Sequence, residues 1–381
     1  MFLNSAANLS TSLAFLALFL SLIVYYGRQY YRLSHIPGPF LARFSNIPRF
    51  LWVYQRDAHN VHIAQHRQYA KIGSKWAALV RYGPNAVSVG SAAAVETIYR
   101  MRGDPLLKSD FYSVIPPMRK GTILPTIFAT QDEMQHRMLK RPIAAVYSMS
   151  NLVSFEPLVD RTIDVFRQEL DRRFVLQGNF DVVGEITFSK RLGFLEEGRD
   201  VEGIMASIWQ WFEYVAIKPM SRALRAWTSS NIIAGSDTTA IFLRTMFHQL
   251  LAHPESMSRL QEELDSAAAR GALSETTTWK ESQALSYLSA CFKEAGRVHP
   301  PFGLHLERVV PAGGLDVCGA ALPAGTIVGM NAWVVHRDPD IFGPDADAWR
   351  PERWLEGDEA RIKRMDAALS TCSLSPPTHA P

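Results

Sequence analysis

Glu294 and Arg297 stand three residues apart in Glu294-Ala295-Gly296-Arg297, and Pro351-Glu352-Arg353-Trp354 answers them downstream. On a helix, residues three apart share one face, so this acid and this base meet. Arg353 adds a second cation that can close a three-way charge cluster with them. Glu-x-x-Arg alone constrains little, because such steps occur on many solvated helices. Coupled to a Pro-Glu-Arg-aromatic step, it is far more specific.

The rest of the chain is compatible with a large folded body. Its 381 residues are 47% hydrophobic and 20% charged, enough for a substantial core in one large domain or two ordinary ones. The formal charge of +3 is mild, and no dense Lys/Arg stripe carries interleaved aromatics, which argues against a nucleic-acid partner. Three cysteines, Cys291, Cys318 and Cys372, are too few and too scattered for a disulfide framework. No Cys-x-x-Cys pair points to zinc. Reduced, cytosol-facing thiols are the simple reading.

The amino terminus reads as a membrane anchor. No charged side chain precedes Arg28, and Ala6 to Tyr26 is mostly apolar, densest from Leu13 to Leu20. A spanning helix needs roughly 20 mostly apolar residues. Arg28 and Arg32 place positive charge after the run, which predicts a single pass with a cytosolic body. The other reading is a cleaved signal peptide; the absent positive n-region and absent small-residue cleavage site speak against it. Ile36-Pro37-Gly38-Pro39 follows, with two prolines stiffening the junction. The expected organisation is an anchor over 1–27, a basic and Pro-rich hinge over 28–40, a body over 41–370 and an aberrant tail over 371–381.

Within the body, helical periodicity is expected over Ala58–Tyr69, Ser91–Met101, Leu152–Phe174, Val201–Val215, Ser229–His253, Pro254–Ala269 and Leu285–Val298. Strands are expected over Trp76–Tyr82 and Ala86–Gly90 around a Gly83-Pro84-Asn85 turn, and around Leu304–Val310 and Thr326–Gly329. The fold class is therefore mainly α with a small β region. Ala234-Gly235-Ser236-Asp237-Thr238-Thr239 interrupts an apolar helix with residues that suit helix interiors poorly. Such groups compete for backbone hydrogen bonds and tend to bend or widen a turn. Burying an acid and two hydroxyls is costly unless they are used. One reading is a kink with satisfied polar groups. The other is a site where a hydroxyl beside an acid positions a water for ordered proton delivery.

Taken together, the E-x-x-R helix, the P-E-R-aromatic segment and the Ala234–Thr239 hexapeptide resemble those of cytochrome P450 monooxygenases, and the resemblance covers nearly the whole chain. Its style is similar to fungal enzymes of secondary metabolism, including the pisatin-demethylase-like group. The resemblance implies a P450-like fold and insertion of one oxygen atom from dioxygen into a small apolar substrate. It implies haem as cofactor, and an NADPH-dependent P450 reductase as electron-donating partner. The place would be the endoplasmic reticulum membrane. Asp237 and Thr238 would form the catalytic acid–alcohol pair, and Glu294, Arg297 and Arg353 a structural brace. Haem propionates are carboxylates that suit cationic donors. His136, Lys140 and Arg141, on a helix expected from Gln135 to Arg141, stand where the family has Trp-x-x-x-Arg. Arg137 is an alternative in that register, and a solvated basic face is the plain reading. Arg308 falls where the family has another propionate contact.

Two stretches depart from the family. The bridge from Ala216 to Thr228 is short and basic where P450s place several helices over the substrate. After Trp354 a meander reaches Leu369 and Ser370, and no Phe-x-x-Gly-x-Arg-x-Cys-x-Gly loop follows. Cys372 has no glycine, arginine or aromatic residue in the places that loop requires. A thiolate ligand pushes electron density toward O–O cleavage, so its loop decides between two readings. One is an active monooxygenase; the other is a truncated, haem-free remnant or membrane-tethered helical protein without catalysis.

Overall fold

The computed structural model describes residues 2–71, 78–99, 105–116, 118–119, 122–123, 125–142, 144, 148–173 and 222–369, with backbone alone for 2–15, 118–119, 122–123, 166, 168–173, 222–233, 236 and 237. These form two compact units. One comprises residues up to 106 together with 303–338, and the other comprises 107–302 together with 339–374. The helix expected over Val201–Val215, the 216–221 part of the bridge and the tail with Cys372 lie outside the described residues.

The first unit is built on a four-stranded sheet. β1 (Leu79–Gly83) and β2 (Ala86–Val89) form an antiparallel hairpin. Pro84 and Asn85 turn it, as the sequence leads one to expect. β6 (Ile327–Met330) adds to β2 in parallel, with Val87 opposite Val328, and β3 (Leu306–Val309) closes the order β1-β2-β6-β3. Every residue of β1 and β2 is buried, including Arg81 and Ser88, which is why the runs are nearly continuous rather than alternating. β4 (Leu315–Val317) and β5 (Ala320–Leu322) form a separate hairpin that periodicity did not disclose. α3 (Ala58–Lys71) is the expected His-rich helix; its His62, Gln65 and His66 are buried. The helix expected over Ser91–Met101 shrinks to a 3-10 turn and α4 (Val95–Ile98).

α1 (Phe2–Arg32) is one continuous helix of 31 residues. Among the described residues, no helix is long and apolar enough to cross a membrane. The side chains of the expected anchor up to Phe15 lie outside those residues. The segment after α1 is no loose hinge. Leu33 and Ile36 are fully buried, Arg81 N donates to Pro37 O (2.7 Å), and a Cβ on Gly38 would lie 2.1 Å from Arg81 O. Only glycine permits that approach. The Arg81 side chain donates to the carbonyl oxygens of Gln29 (2.8 Å), Tyr30 (3.0 Å), Arg43 (3.2 Å), Gly83 (3.3 Å) and Pro84 (2.6 Å). The last helical turn leaves its carbonyls unpaired and negative, and a guanidinium satisfies both needs. α2 (Ile47–Tyr54) follows, with no buried residue.

The second unit is helical. The long helix expected from Leu152 is split into α6 (Met149–Ser154) and α7 (Glu156–Arg173), because Pro157 lacks the N–H that would continue the ladder across Phe155. α5 (Glu133–Lys140) precedes them. α8 (Arg222–Ala252) begins earlier than the Ser229 start expected and stops before Pro254, the first residue of α9 (Pro254–Ala269). α10 (Ser286–Val298) follows, its first turn capped by the Glu263 carboxylate, which accepts from Tyr287 N (2.8 Å) and Leu288 N (3.0 Å). Met246, Leu250, Leu260, Tyr287, Cys291, Ala295 and Trp349 make one buried apolar cluster between α8, α9 and α10. After Trp354 the expected meander contains α11 (Glu359–Ala368), started by Asp358 accepting from Arg361 N (2.7 Å).

Candidate functional site

The structure brings Glu294, Arg297 and Arg353 together, and all three are fully buried. Glu294 Oε1 accepts from Arg297 Nη2 (2.7 Å), Arg353 Nε (3.0 Å) and the Arg350 backbone N–H (2.9 Å). Its Oε2 accepts from Arg297 Nε (2.8 Å) and Trp354 Nε1 (2.9 Å). The fork-on-fork contact from Arg297 is bidentate, the strongest form of this pair. The two guanidiniums then reach past the acid. Arg297 holds the carbonyls of Ala346 and Ala348, and Arg353 holds those of Phe342, Asp345 and Ala348. Asp345 adds a second carboxylate, 3.1 Å from Arg353 Nη1. The arginines hold its carboxyl below the usual range, against burial pushing it up. Two acids and two buried arginines thus balance, and α10 is locked to the 342–354 segment.

Asp345, Trp354 and Glu263 complete this unit and escaped attention as site residues. For Trp354 the signal was its place in the Pro-Glu-Arg-aromatic step. For Asp345 it was the Gly343-Pro344-Asp345 turn, whose side chain folds back onto the brace.

α8 runs unbroken through Ala234–Thr239, so the expected bend is not seen there. Thr238 is half-buried, and its Oγ1 donates to Ala234 O (2.5 Å) on its own helix. A hydroxyl used this way keeps two lone pairs for accepting. Asp237 belongs to the same helix, and its side chain lies outside the described residues.

The cationic candidates divide between the units. α5 places His136 and Lys140 one turn apart on one face, with Arg141 capping the end. His136 is half-buried, its Nδ1 3.5 Å from Glu133 Oε1. Burial and Lys108 lower its pKa, against the pull of Glu133. Lys140 and Arg141 are exposed. Arg137, exposed too, pairs with Glu133 at 3.4 Å. In the other unit, Arg308 on β3 is buried, donates to Glu307 O (2.9 Å) and lies 5.0 Å from the centre of the Tyr99 ring.

Haem asks for a thiolate, and neither described cysteine fits that role. Cys291 is sealed in the cluster between α8, α9 and α10, and burial pushes its thiol up to about 12. Cys318 sits at the exposed β4–β5 turn with φ 53°, and burial of its sulfur raises its pKa too. A thiol that resists ionisation makes a poor ligand. The described residues therefore do not assemble a haem–thiolate centre, and Cys372 lies outside them.

Comparison with known proteins follows the same line as the brace. The cytochrome P450 family profile matches residues 122–369. A cytochrome P450 monooxygenase of Aspergillus terreus is 43% identical over 426 positions, covering 90% of this chain and 85% of the relative. The cytochrome P450 monooxygenase cicH of Emericella nidulans is 45% identical over 434 positions, covering 94% and 85%. The monooxygenase pkfB of the same fungus is 37% identical, covering 90% and 81%. The first two alignments are longer than the 381-residue chain, so those relatives carry internal stretches with no counterpart here.

Proposed function

The chain belongs to the cytochrome P450 family, and from that premise we propose that it oxidises a small apolar metabolite of secondary metabolism. Dioxygen is the oxidant, and an NADPH-dependent P450 reductase supplies the electrons. The observation that carries this reading is the Glu294 carboxylate, which accepts five hydrogen bonds and ties α10 to 342–354. So dense a buried network is retained where the segment it holds must keep one geometry. Haem supplies the oxygen chemistry in this family. His136 and Lys140 on α5, Arg141 at its end and, separately, Arg308 on β3 are the cations proposed for the haem carboxylates. Asp237 and Thr238 are the proposed acid–alcohol pair; Thr238 Oγ1, already donating to Ala234 O, holds a water by accepting from it. Cys291 and Cys318 resist ionisation and Cys372 lacks the flanking residues of the family's loop, so the thiolate is the part of this reading that the residues supply least. The internal stretches of the relatives belong at the short Ala216–Thr228 bridge, over the substrate.

The proposed place is the endoplasmic reticulum membrane, with α1 as a single-pass anchor and the body in the cytosol. Leu16, Leu18, Phe19, Leu20, Leu22, Ile23 and Val24 are exposed on every side of α1. Apolar surface around a whole helix needs lipid to cover it. Tyr25, Tyr26, Tyr30 and Tyr31, with Arg28 and Arg32, follow as an interfacial belt.

The placement of Cys291 and Cys318 favours a second reading, a membrane-tethered helical protein without haem. The absorption spectrum of the reduced, carbon-monoxide-treated full chain separates the two. A thiolate-type Soret band supports the oxygenase; a chain that takes up no haem supports the second reading and refutes the first.

A further inference from the structure

A cavity of about 350 Å³ opens beside the carboxyl end of α1. Tyr25, Tyr26 and Phe44 give it apolar walls, and Gln29, Arg49 and Asn85 bring polar groups to it. Gln29 Oε1 and Asn85 Oδ1 are buried, and neither has a hydrogen-bond partner. The Asn85 amide nitrogen already donates to Gly325 O (2.7 Å), so the oxygen is the atom left over. Two orphaned acceptors in the lining of one cavity ask for a ligand that donates. Arg49 lines it as well, and its guanidinium has more N–H donors than one carboxylate takes up. It pairs with Glu307, and the chain around it is strongly one-signed: Arg28, Arg32, Arg43 and Arg49 occur with no acid before Asp57. Such juxtamembrane charge draws phosphate.

The position says where such a ligand comes from. The cavity lies where the apolar run of α1 ends. The same unit exposes Phe40, Leu41, Ile47 and Phe50 on the segment that follows, and α2 buries no residue at all. An unpartnered apolar surface continuous with a membrane helix belongs at the headgroup level of a bilayer.

We propose that this cavity binds a phospholipid headgroup of the phosphatidylethanolamine type, and so seats the junction of α1 and the body on the membrane. The phosphate meets Arg49, and the primary ammonium donates to Gln29 Oε1 and Asn85 Oδ1. A choline headgroup carries no N–H and leaves both oxygens unpaired. The inference rests on α1 being a membrane anchor.

The test uses the full chain in two steps. Flotation with phosphatidylcholine vesicles reads the anchor alone. Titration of the detergent-solubilised chain with glycerophosphoethanolamine and with glycerophosphocholine then reads the site. The ethanolamine probe is expected to bind about tenfold more tightly or better, the effect of one hydrogen bond to a charged donor. Gln29→Leu should bring the two probes close together. Asn46→Trp, at an exposed lining residue with no capping bond, should fill the cavity and abolish binding while flotation persists. Flotation with no preference between the probes, or a preference that survives Gln29→Leu, overturns the headgroup site and leaves the anchor standing. Failure to float overturns both.

Discussion

Removing the Glu294 carboxylate should be among the most damaging single changes available to the second unit. Glu294→Ala deletes the acceptor of five hydrogen bonds and leaves Arg297 and Arg353 fully buried. Arg353 keeps Asp345 as a counter-charge, 3.1 Å away, whereas Arg297 keeps the carbonyl oxygens of Ala346 and Ala348. Breaking a buried pair from one side costs about 3–5 kcal/mol, because an uncompensated charge stays inside. Against a total stability of roughly 5–15 kcal/mol for a domain, that is a large share. The assay is equilibrium urea unfolding followed by far-UV circular dichroism. Because the chain has two units, the fit must allow two transitions. The double variant Glu294→Leu with Arg297→Met supplies the control: removing both partners should recover much of the loss. A cost below about 1 kcal/mol for Glu294→Ala, or a double variant as unstable as the sum of its parts, would refute the claim that charge compensation holds this segment.

Other consequences concern the first unit. Gly38→Ala places a methyl 2.1 Å from Arg81 O and should lower stability by about 1–3 kcal/mol, read as a lower melting temperature. Arg81→Met leaves five carbonyl oxygens without their donor, so limited proteolysis should cut faster after Arg28 and Arg32; an unchanged cleavage rate would dismiss the capping role. Acid should weaken this unit through its buried histidines. His66 and His305 both bond Ser88 Oγ, at 2.8 and 2.7 Å, and Asn331 Nδ2 reaches His62 Nδ1 at 3.1 Å. Burial lowers His62 to about 3 and His66 to about 4, and pushes His305 well down, with positive neighbours adding to the effect on His62 and His305. The unfolded chain takes up these protons near pH 6.5 and the folded chain does not. Stability is therefore full above about pH 6.5 and falls toward pH 4, by up to about 1.4 kcal/mol per pH unit for each histidine. A flat unfolding profile across that window would contradict it.

What could be read from the residues was what short-range chemistry decides. The Glu294–Arg297 step and the Pro-Glu-Arg-Trp turn announced a charge cluster, since an i,i+3 spacing fixes a shared face. Pro254 ended α8 and began α9 for reasons that sit in its own ring. The Gly83-Pro84-Asn85 turn set the first hairpin. Other features depend on partners far along the chain. Arg81 looked like one charge in a strand, and only the fold shows it satisfying the end of α1, the carbonyl of Arg43 and the turn of its own hairpin. Pro157 lay inside an apolar period that ran through it, so the break between α6 and α7 was missed. α2 and the β4–β5 hairpin carry periods too short to register. The prolines around Gly38 announced a stiff junction, and only the approach of Arg81 O shows why the residue between them is glycine. The family was legible because its brace is local in part, and the want of a Phe-x-x-Gly-x-Arg-x-Cys-x-Gly loop was legible because that pattern is one of spacing.

The proposed oxygenase uses neither Cys291 nor Cys318 as iron ligand. The reduced, carbon-monoxide-bound spectrum of the full chain, recorded also for Cys291→Ala and Cys318→Ala, puts that to the test. A thiolate-type Soret band in the parent chain that both variants keep is the expected result. A band lost in either variant, or no band at all, is the contrary one.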